Sequence, residues 1–223
     1  MNEPTTTDSP NRLRGAAILI ILAMFAAALL STVDRFTAPR IADNIAAERL
    51  KGLRAVLPPD SYDNEPHLDI RMVQDVELLG SDEPLPVYRA RRGGRPVAAV
   101  LTAVAPNGFS GHIHLLVAVD VTGMVTGVRV IEHRETPGLG DRIEAGKSDW
   151  MLGFRGLHSA VLLTSNTQPD EWALKRDGGS FDQITGATVT SRAVHNAVRN
   201  AVIYFAAHRQ ELFQSAANEQ PEP

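Results

Sequence analysis

The chain has 223 residues, a formal net charge of −4 and no cysteine. That length suits one ordinary domain beside a membrane segment. The mild negative charge and scattered basic residues offer nothing to nucleic acid, and the absence of cysteine excludes disulfides, cysteine-ligated iron–sulfur clusters, thioether haem and a cysteine nucleophile.

Residues 1–11 are polar, with Pro4 and Pro10 and a threonine run, and read as a flexible tail. With Arg12 and Arg14 they make a stretch, 1–14, expected on the cytoplasmic side. Residues 15–33 carry no charge, and a helix of that length would reach about 28 Å, close to the hydrocarbon thickness of a bilayer. The preceding arginines favour a cytoplasmic N-terminus, although Arg35 and Arg40 reduce the asymmetry. A cleaved leader is the alternative, with Ala26, Ala27 and Ala28 as small residues for cleavage. The apolar run continues through Leu29, Leu30 and Val33, longer than a leader's apolar core, which favours a retained anchor. Under both readings the remainder is exported.

Residues 34–84 read as an amphipathic helix and a connection. Ile41, Ile45, Leu50, Leu53 and Leu57 recur among charged positions, and Pro58-Pro59-Asp60 ends the helix. Residues 70–79 are compatible with strand or helix.

Residues 85–209 predict one α+β domain. Residues 87–91 and 97–104 flank Gly93-Gly94, and residues 113–119 and 125–132 flank a turn from Asp120 to Gly123, so a twisted antiparallel sheet is expected. Residues 141–158, with Trp150, Met151, Leu152 and Phe154, predict a short helix or loop packed on that sheet. Residues 162–164 predict a further strand, and Gly178-Gly179 a loop. A last helix is expected over residues 189–209, with Val189, Ala193, Ala197, Val198, Ala201 and Val202 at near-helical spacing. Residues 210–223 read as a polar tail.

Two segments carry candidate chemistry. In Asp182-Gln183-Ile184-Thr185-Gly186-Ala187-Thr188-Val189-Thr190, two small residues precede a threonine at the predicted helix start. Free amide hydrogens and the positive dipole end attract phosphate there, and Gly186 and Ala187 let it come close. Thr185, Thr190 and Ser191 offer hydroxyls to the same group. The plainer use of such a threonine is an N-cap after a glycine turn. In His133-Arg134-Glu135-Thr136-Pro137-Gly138-Leu139-Gly140-Asp141, Pro137 stiffens a turn, while Gly138 and Gly140 permit positive φ and close approach to a flat ring. The same residues suit a turn that merely ends a strand. His133 and Glu135 make half a metal site with no matching ligands, so no metal is expected. Trp150 and Phe154 read as core before they read as ring-stacking groups. A threonine hydroxyl needs a base, and His195, seven residues on, stands about 10 Å away along the helix. No residue of the chain is expected to be catalytic.

These two segments, in this order behind one apolar N-terminal run, resemble the FMN-binding domains of the Rnf (Rsx) and sodium-pumping NADH:quinone reductase families. The loop 133–141 and the compact length are most similar to the G subunit of the Rnf complex, over about residues 10–210. The resemblance implies one FMN per chain, joined by a phosphoester to Thr188. It implies contacts from Thr185, Gly186, Ala187 and Thr190 and from Glu135, Thr136, Gly138, Leu139 and Gly140. It further implies a magnesium-dependent flavin transferase that moves FMN from FAD, other membrane subunits as partners, and electron flow between ferredoxin and NAD coupled to ion movement. The expected setting is the bacterial inner membrane, crossed once, with the FMN domain periplasmic. A reading from another class is a membrane-anchored binding or regulatory module of this fold without redox activity.

Overall fold

The computed structural model describes residues 10–164 and 172–214. Of the tail expected over 210–223, residues 210–213 instead continue the last helix and residues 215–223 lie outside the described residues, as do residues 1–9 of the N-terminal stretch. Packing divides the chain into two units, Met1–Glu48 and Arg49–Pro223.

Helix α1 spans Pro10–Val56, so its last turns, from Arg49, belong to the second unit. Within the first unit Arg14–Thr37, 24 residues with exposed side chains, is long and apolar enough to cross a membrane. Both threonine hydroxyls are satisfied inside the helix: Thr32 donates to the Ala28 carbonyl at 2.7 Å and Thr37 to the Val33 carbonyl at 2.6 Å. Such back-bonding lets hydroxyls lie in an apolar medium at little cost.

The second unit is built on a five-stranded antiparallel sheet in the order β1-β2-β3-β4-β5. The strands are β1 Ile70–Asp75, β2 Ser81–Arg92, β3 Arg95–Ala105, β4 Ile113–Asp120 and β5 Val125–Glu132. The undecided stretch is therefore a strand at its start, and residue 85 falls inside β2. Gly93 and Gly94 both take positive φ, 55° and 76°, and close β2 onto β3 as a two-residue hairpin whose twist matches the strands.

Alternation along the strands buries both faces. Ala99, Leu101, Ala103, Leu115 and Val117 point into the main core, which also takes Ala193, Val194, Ala197, Val198, Ala201 and Val202 of α3, Thr188–Phe213. Ala98, Val100, Leu116 and Ala118 point the other way, onto Leu53, Val56 and Leu57 at the end of α1. Val189 departs from the expected core face: it is 48% exposed. The far end of α3 is clamped by β2. Arg89 donates to the Gln214 carbonyl at 2.8 Å and Arg91 to that of Phe213 at 3.3 Å, with Asp69 holding both guanidiniums. Two cations thus sit on the negative end of the helix.

The strand expected at residues 162–164 is instead part of helix α2, Ser159–Thr164. His158 makes one bridge to Met124 beside the sheet, and its Nδ1 then accepts the Ala160 amide, which turns the chain into a helix. Residues 141–158 form two 3₁₀ segments, Gly140–Ile143 and Trp150–Phe154.

Contact between the end of α1 and the sheet depends on Gly127 of β5, where a Cβ would stand 2.8 Å from both the Cα and the carbonyl oxygen of Val56. Gly127→Val should force the two apart and cost about 1–3 kcal/mol, read as a lower midpoint in urea with the slope unchanged.

Candidate functional site

Three segments meet at one buried carboxylate. Glu135, after β5, is 4% exposed. Its Oε2 accepts the Thr190 hydroxyl of α3 at 2.5 Å, and its Oε1 accepts the Ser110 amide from the β3–β4 loop at 3.0 Å. Two glycines make room for it. At Gly108 a Cβ would stand 2.9 Å from Oε1, and at Gly140 it would stand 2.7 Å from Oε2 and 3.1 Å from the Thr190 hydroxyl.

Gly138 and Gly140 therefore serve different ends. Gly138 takes φ 79° with open space around it, so its backbone conformation demands glycine. Gly140 has no positive φ, contrary to expectation, and is required by the crowded carboxylate. Between them the Thr136 carbonyl accepts the amides of Leu139 and Gly140 at 3.2 and 3.1 Å, so the loop is one tight turn. It presents Pro137, Gly138 and Leu139 outward. Leu139 lies over the other segment, its Cδ2 3.2 Å from where a Cβ of Gly186 would be.

The second segment is a surface turn followed by α3. Gly186 has φ 83°, Thr185 and Gly186 are exposed, Ala187 is buried, and Thr188 is partly exposed at the first helical position. Thr188 does not cap the helix; Ala187 occupies that place without a side-chain bond. Among the described residues the amides of Thr188, Val189 and Thr190 have no acceptor, and no acidic residue lies in the first turn. This leaves three open amides at the positive end of the helix, suited to an anion, beside the Thr188 hydroxyl.

Two of the hydroxyls expected there are already used. Thr190 is buried on Glu135, and Ser191 accepts the Ile184 amide and donates to the Ala187 carbonyl, both at 2.9 Å, which shapes the turn from beneath. Arg192 is held in a two-point pair with Asp177 at 2.7 and 3.0 Å. Asp182 is exposed on Lys175, and its carbonyl takes the Trp150 indole at 2.6 Å. Trp150 packs edge-on against Phe154 and Phe181, with centroids 5.4 and 5.6 Å apart, and so braces the turn. His195 is 2% exposed within the same aromatic group, remote from solvent.

The structure thus divides the expected site residues. Glu135, Gly140 and Thr190 are buried and pack on one another and Ala187 is buried as well, whereas Thr185, Gly186, Gly138 and Leu139 are exposed and Thr136 and Thr188 partly exposed. Sequence reasoning missed the β3–β4 loop, Asn107-Gly108-Phe109-Ser110-Gly111. Its two glycines three residues apart between strands were the signal, yet nothing local connects them to Glu135.

An ion-pair cluster underlies the 133–141 loop. Lys147 reaches Asp141 at 2.8 Å and Glu144 at 2.6 Å, and Glu144 also meets His133 at 3.1 Å. Lys147 holds the Asp141 carboxyl below its ordinary range, helped by the Gly138 amide, and does the same for Glu144, helped by His133.

Residues 108–203 match the FMN-binding domain family, which takes in all three segments, and residues 2–56 match the RnfG N-terminal region. The G subunit of an ion-translocating oxidoreductase complex from Shewanella loihica is 43% identical over 92% of this chain and 94% of its own length. The corresponding G subunit of Pseudomonas aeruginosa is 47% identical over 90% and 91%. This chain belongs to the family of G subunits of ion-translocating oxidoreductase complexes. Among solved structures, the C subunit of a sodium-translocating NADH-quinone reductase from Parabacteroides distasonis aligns with TM-score 0.48 and 18% identity, over 76% of this chain and 92% of that one. The junction at Glu135 and the turn before α3 both lie inside the matched FMN-binding domain.

A depressed carboxyl contributes stability above its unfolded pKa and loses it as the pH falls through the folded value. Lys147→Met should raise Asp141 and Glu144 toward their ordinary values, so acid should loosen the 133–141 loop at a higher pH than in the parent. Amide exchange of that loop across an acid titration measures the shift.

Proposed function

We propose that this chain is a membrane-anchored electron-transfer subunit that carries FMN on Thr188. The observation that carries the reading is the Thr188 hydroxyl at the first position of α3, beside three unaccepted amides and after an exposed Thr185-Gly186 turn. A phosphoryl group joined to Thr188 would lie on those amides. Thr185 and Gly186 give access, Ala187 anchors the turn in the core, and Pro137, Gly138 and Leu139 form a facing wall. FMN, when bound, supplies transfer of one or two electrons, and the protein supplies position and electrostatics.

The chain is the acceptor in this modification. His195 is enclosed among Phe154, Phe181 and Trp172, so it is not placed to take the Thr188 proton. A separate magnesium-dependent transferase supplies the base. The Thr188 oxygen bonds to the FMN phosphorus of FAD, the pyrophosphate bond breaks, and AMP leaves. In this reading Arg14–Thr37 crosses the bacterial inner membrane once, with the arginines before it cytoplasmic and the FMN domain periplasmic. The partners are the other subunits of an Rnf-type complex, in which electrons pass between ferredoxin and NAD and ions move.

Thr188→Ala should remove all covalent flavin while changing stability by no more than about 0.5 kcal/mol, as for a surface residue without a structural bond. Flavin fluorescence of the denatured band and peptide mass spectrometry, from cells that also make the transferase, decide it. A dark band in the parent would favour a binding module without redox activity, and an adduct on Thr185 or Thr190 would move the attachment point.

Gly138→Val tests the facing wall separately. Valine at φ 79° is strained, so the variant should still take FMN at Thr188 yet show altered flavin absorption and midpoint potential. A protein that is merely less stable, with both unchanged, would leave the wall without a role.

A further inference from the structure

His133 lies behind the surface that would face a cofactor, and its ring nitrogens have opposite duties. Nδ1 accepts the backbone amide hydrogen of Glu135 at 3.0 Å, while Nε2 stands 3.1 Å from Glu144 Oε1, which is itself held by Lys147. A carboxylate can only accept, so the ring carries its proton on Nε2 and leaves Nδ1 bare. One tautomer satisfies both bonds.

The amide that Nδ1 holds belongs to the residue whose carboxylate joins the loop to Ser110 and Thr190. Fixing that amide fixes the direction in which the Glu135 side chain leaves the backbone of the loop. The other end of the loop is tied to the same cluster, because Lys147 holds the Asp141 carboxyl and the Asp141 amide donates to the Thr136 carbonyl at 3.4 Å. We propose that His133 is a positioning residue for the cofactor wall: through its bare Nδ1 it orients Glu135, and so sets Pro137, Gly138 and Leu139 against the Thr185–Thr188 turn. The consequence for flavin rests on the reading of Thr188 given above; the positioning itself does not.

Three variants separate an acceptor at the δ position from a side chain that only fills space. In His133→Asn the side-chain oxygen can accept the amide two residues on, as in an Asx turn. In His133→Gln the polar group lies one carbon further out, and His133→Ala has none. Backbone exchange at residues 135 and 138–141, measured on the full-length protein without flavin, should rise about five- to tenfold in the Ala and Gln variants, the effect of one lost hydrogen bond. It should stay near the parent in His133→Asn. Nitrogen NMR of the parent ring should show Nδ1 without a proton. In the flavin-loaded protein, absorption and midpoint potential should shift in the Ala and Gln variants and return in His133→Asn.

Unchanged exchange in His133→Ala, or equal loosening in all three variants, overturns the positioning role. A loosened loop with unmoved flavin spectrum and potential overturns the link to the cofactor wall. Absence of flavin from the parent overturns the Thr188 reading, and the exchange measurements on the flavin-free protein still decide the case of His133.

Discussion

The Glu135 carboxylate is taken out of water and given two donors from distant parts of the chain, and the arrangement of the site follows from that exchange. A buried carboxylate without partners would cost several kcal/mol, so the fold keeps it only where hydrogen bonds replace its hydration. Here the replacements are Thr190 of α3 and the Ser110 amide of the β3–β4 loop. Each bond draws a different segment to one point, and Gly108 and Gly140 yield the space.

The sheet makes that junction stable. Its central strands β3 and β4 are buried on both faces, against α3 on one side and the last turns of α1 on the other. A sheet covered on both faces resists slippage, because a shift of one residue would exchange its two apolar surfaces. The loops at one end of β3–β5 can therefore carry glycines of positive φ and open amides without disturbing the frame, which is the usual division between rigid scaffold and working loop.

Charge is distributed to suit the two ends of α3. Its C-terminal carbonyls receive Arg89 and Arg91, so the negative end is compensated within the fold. Its N-terminus has no acidic residue in the first turn. An anion supplied from outside would complete it, and in the proposed reading that anion is the flavin phosphoryl group. A chain with no cysteine cannot hold a redox group through a cysteine thiolate or a cysteinyl thioether, which gives the threonine route a chemical logic.

Much was legible in the sequence wherever the controlling physics is local. An uncharged run of membrane length, the Gly93-Gly94 hairpin, the helix start at Thr188 and the Thr-Gly-Ala-Thr wording depend on neighbours in the chain. Tertiary structure decided the remainder. Residues 70–75 became a strand because β2 offered them an edge, and residues 162–164 became helical because His158 redirected the chain. Thr190 and Ser191 look like their neighbours Thr185 and Thr188 in sequence, yet their hydroxyls turn inward, since Glu135 and the Ile184 amide wait there. Gly138 and Gly140 share a motif but answer to different constraints, one to its own φ and the other to a carboxylate held by residues up to 55 positions away. Periodicity and turn chemistry report what a segment prefers by itself; which hydroxyl is free, and which glycine makes room for what, is fixed only when segments far apart in the chain compete for the same few ångströms.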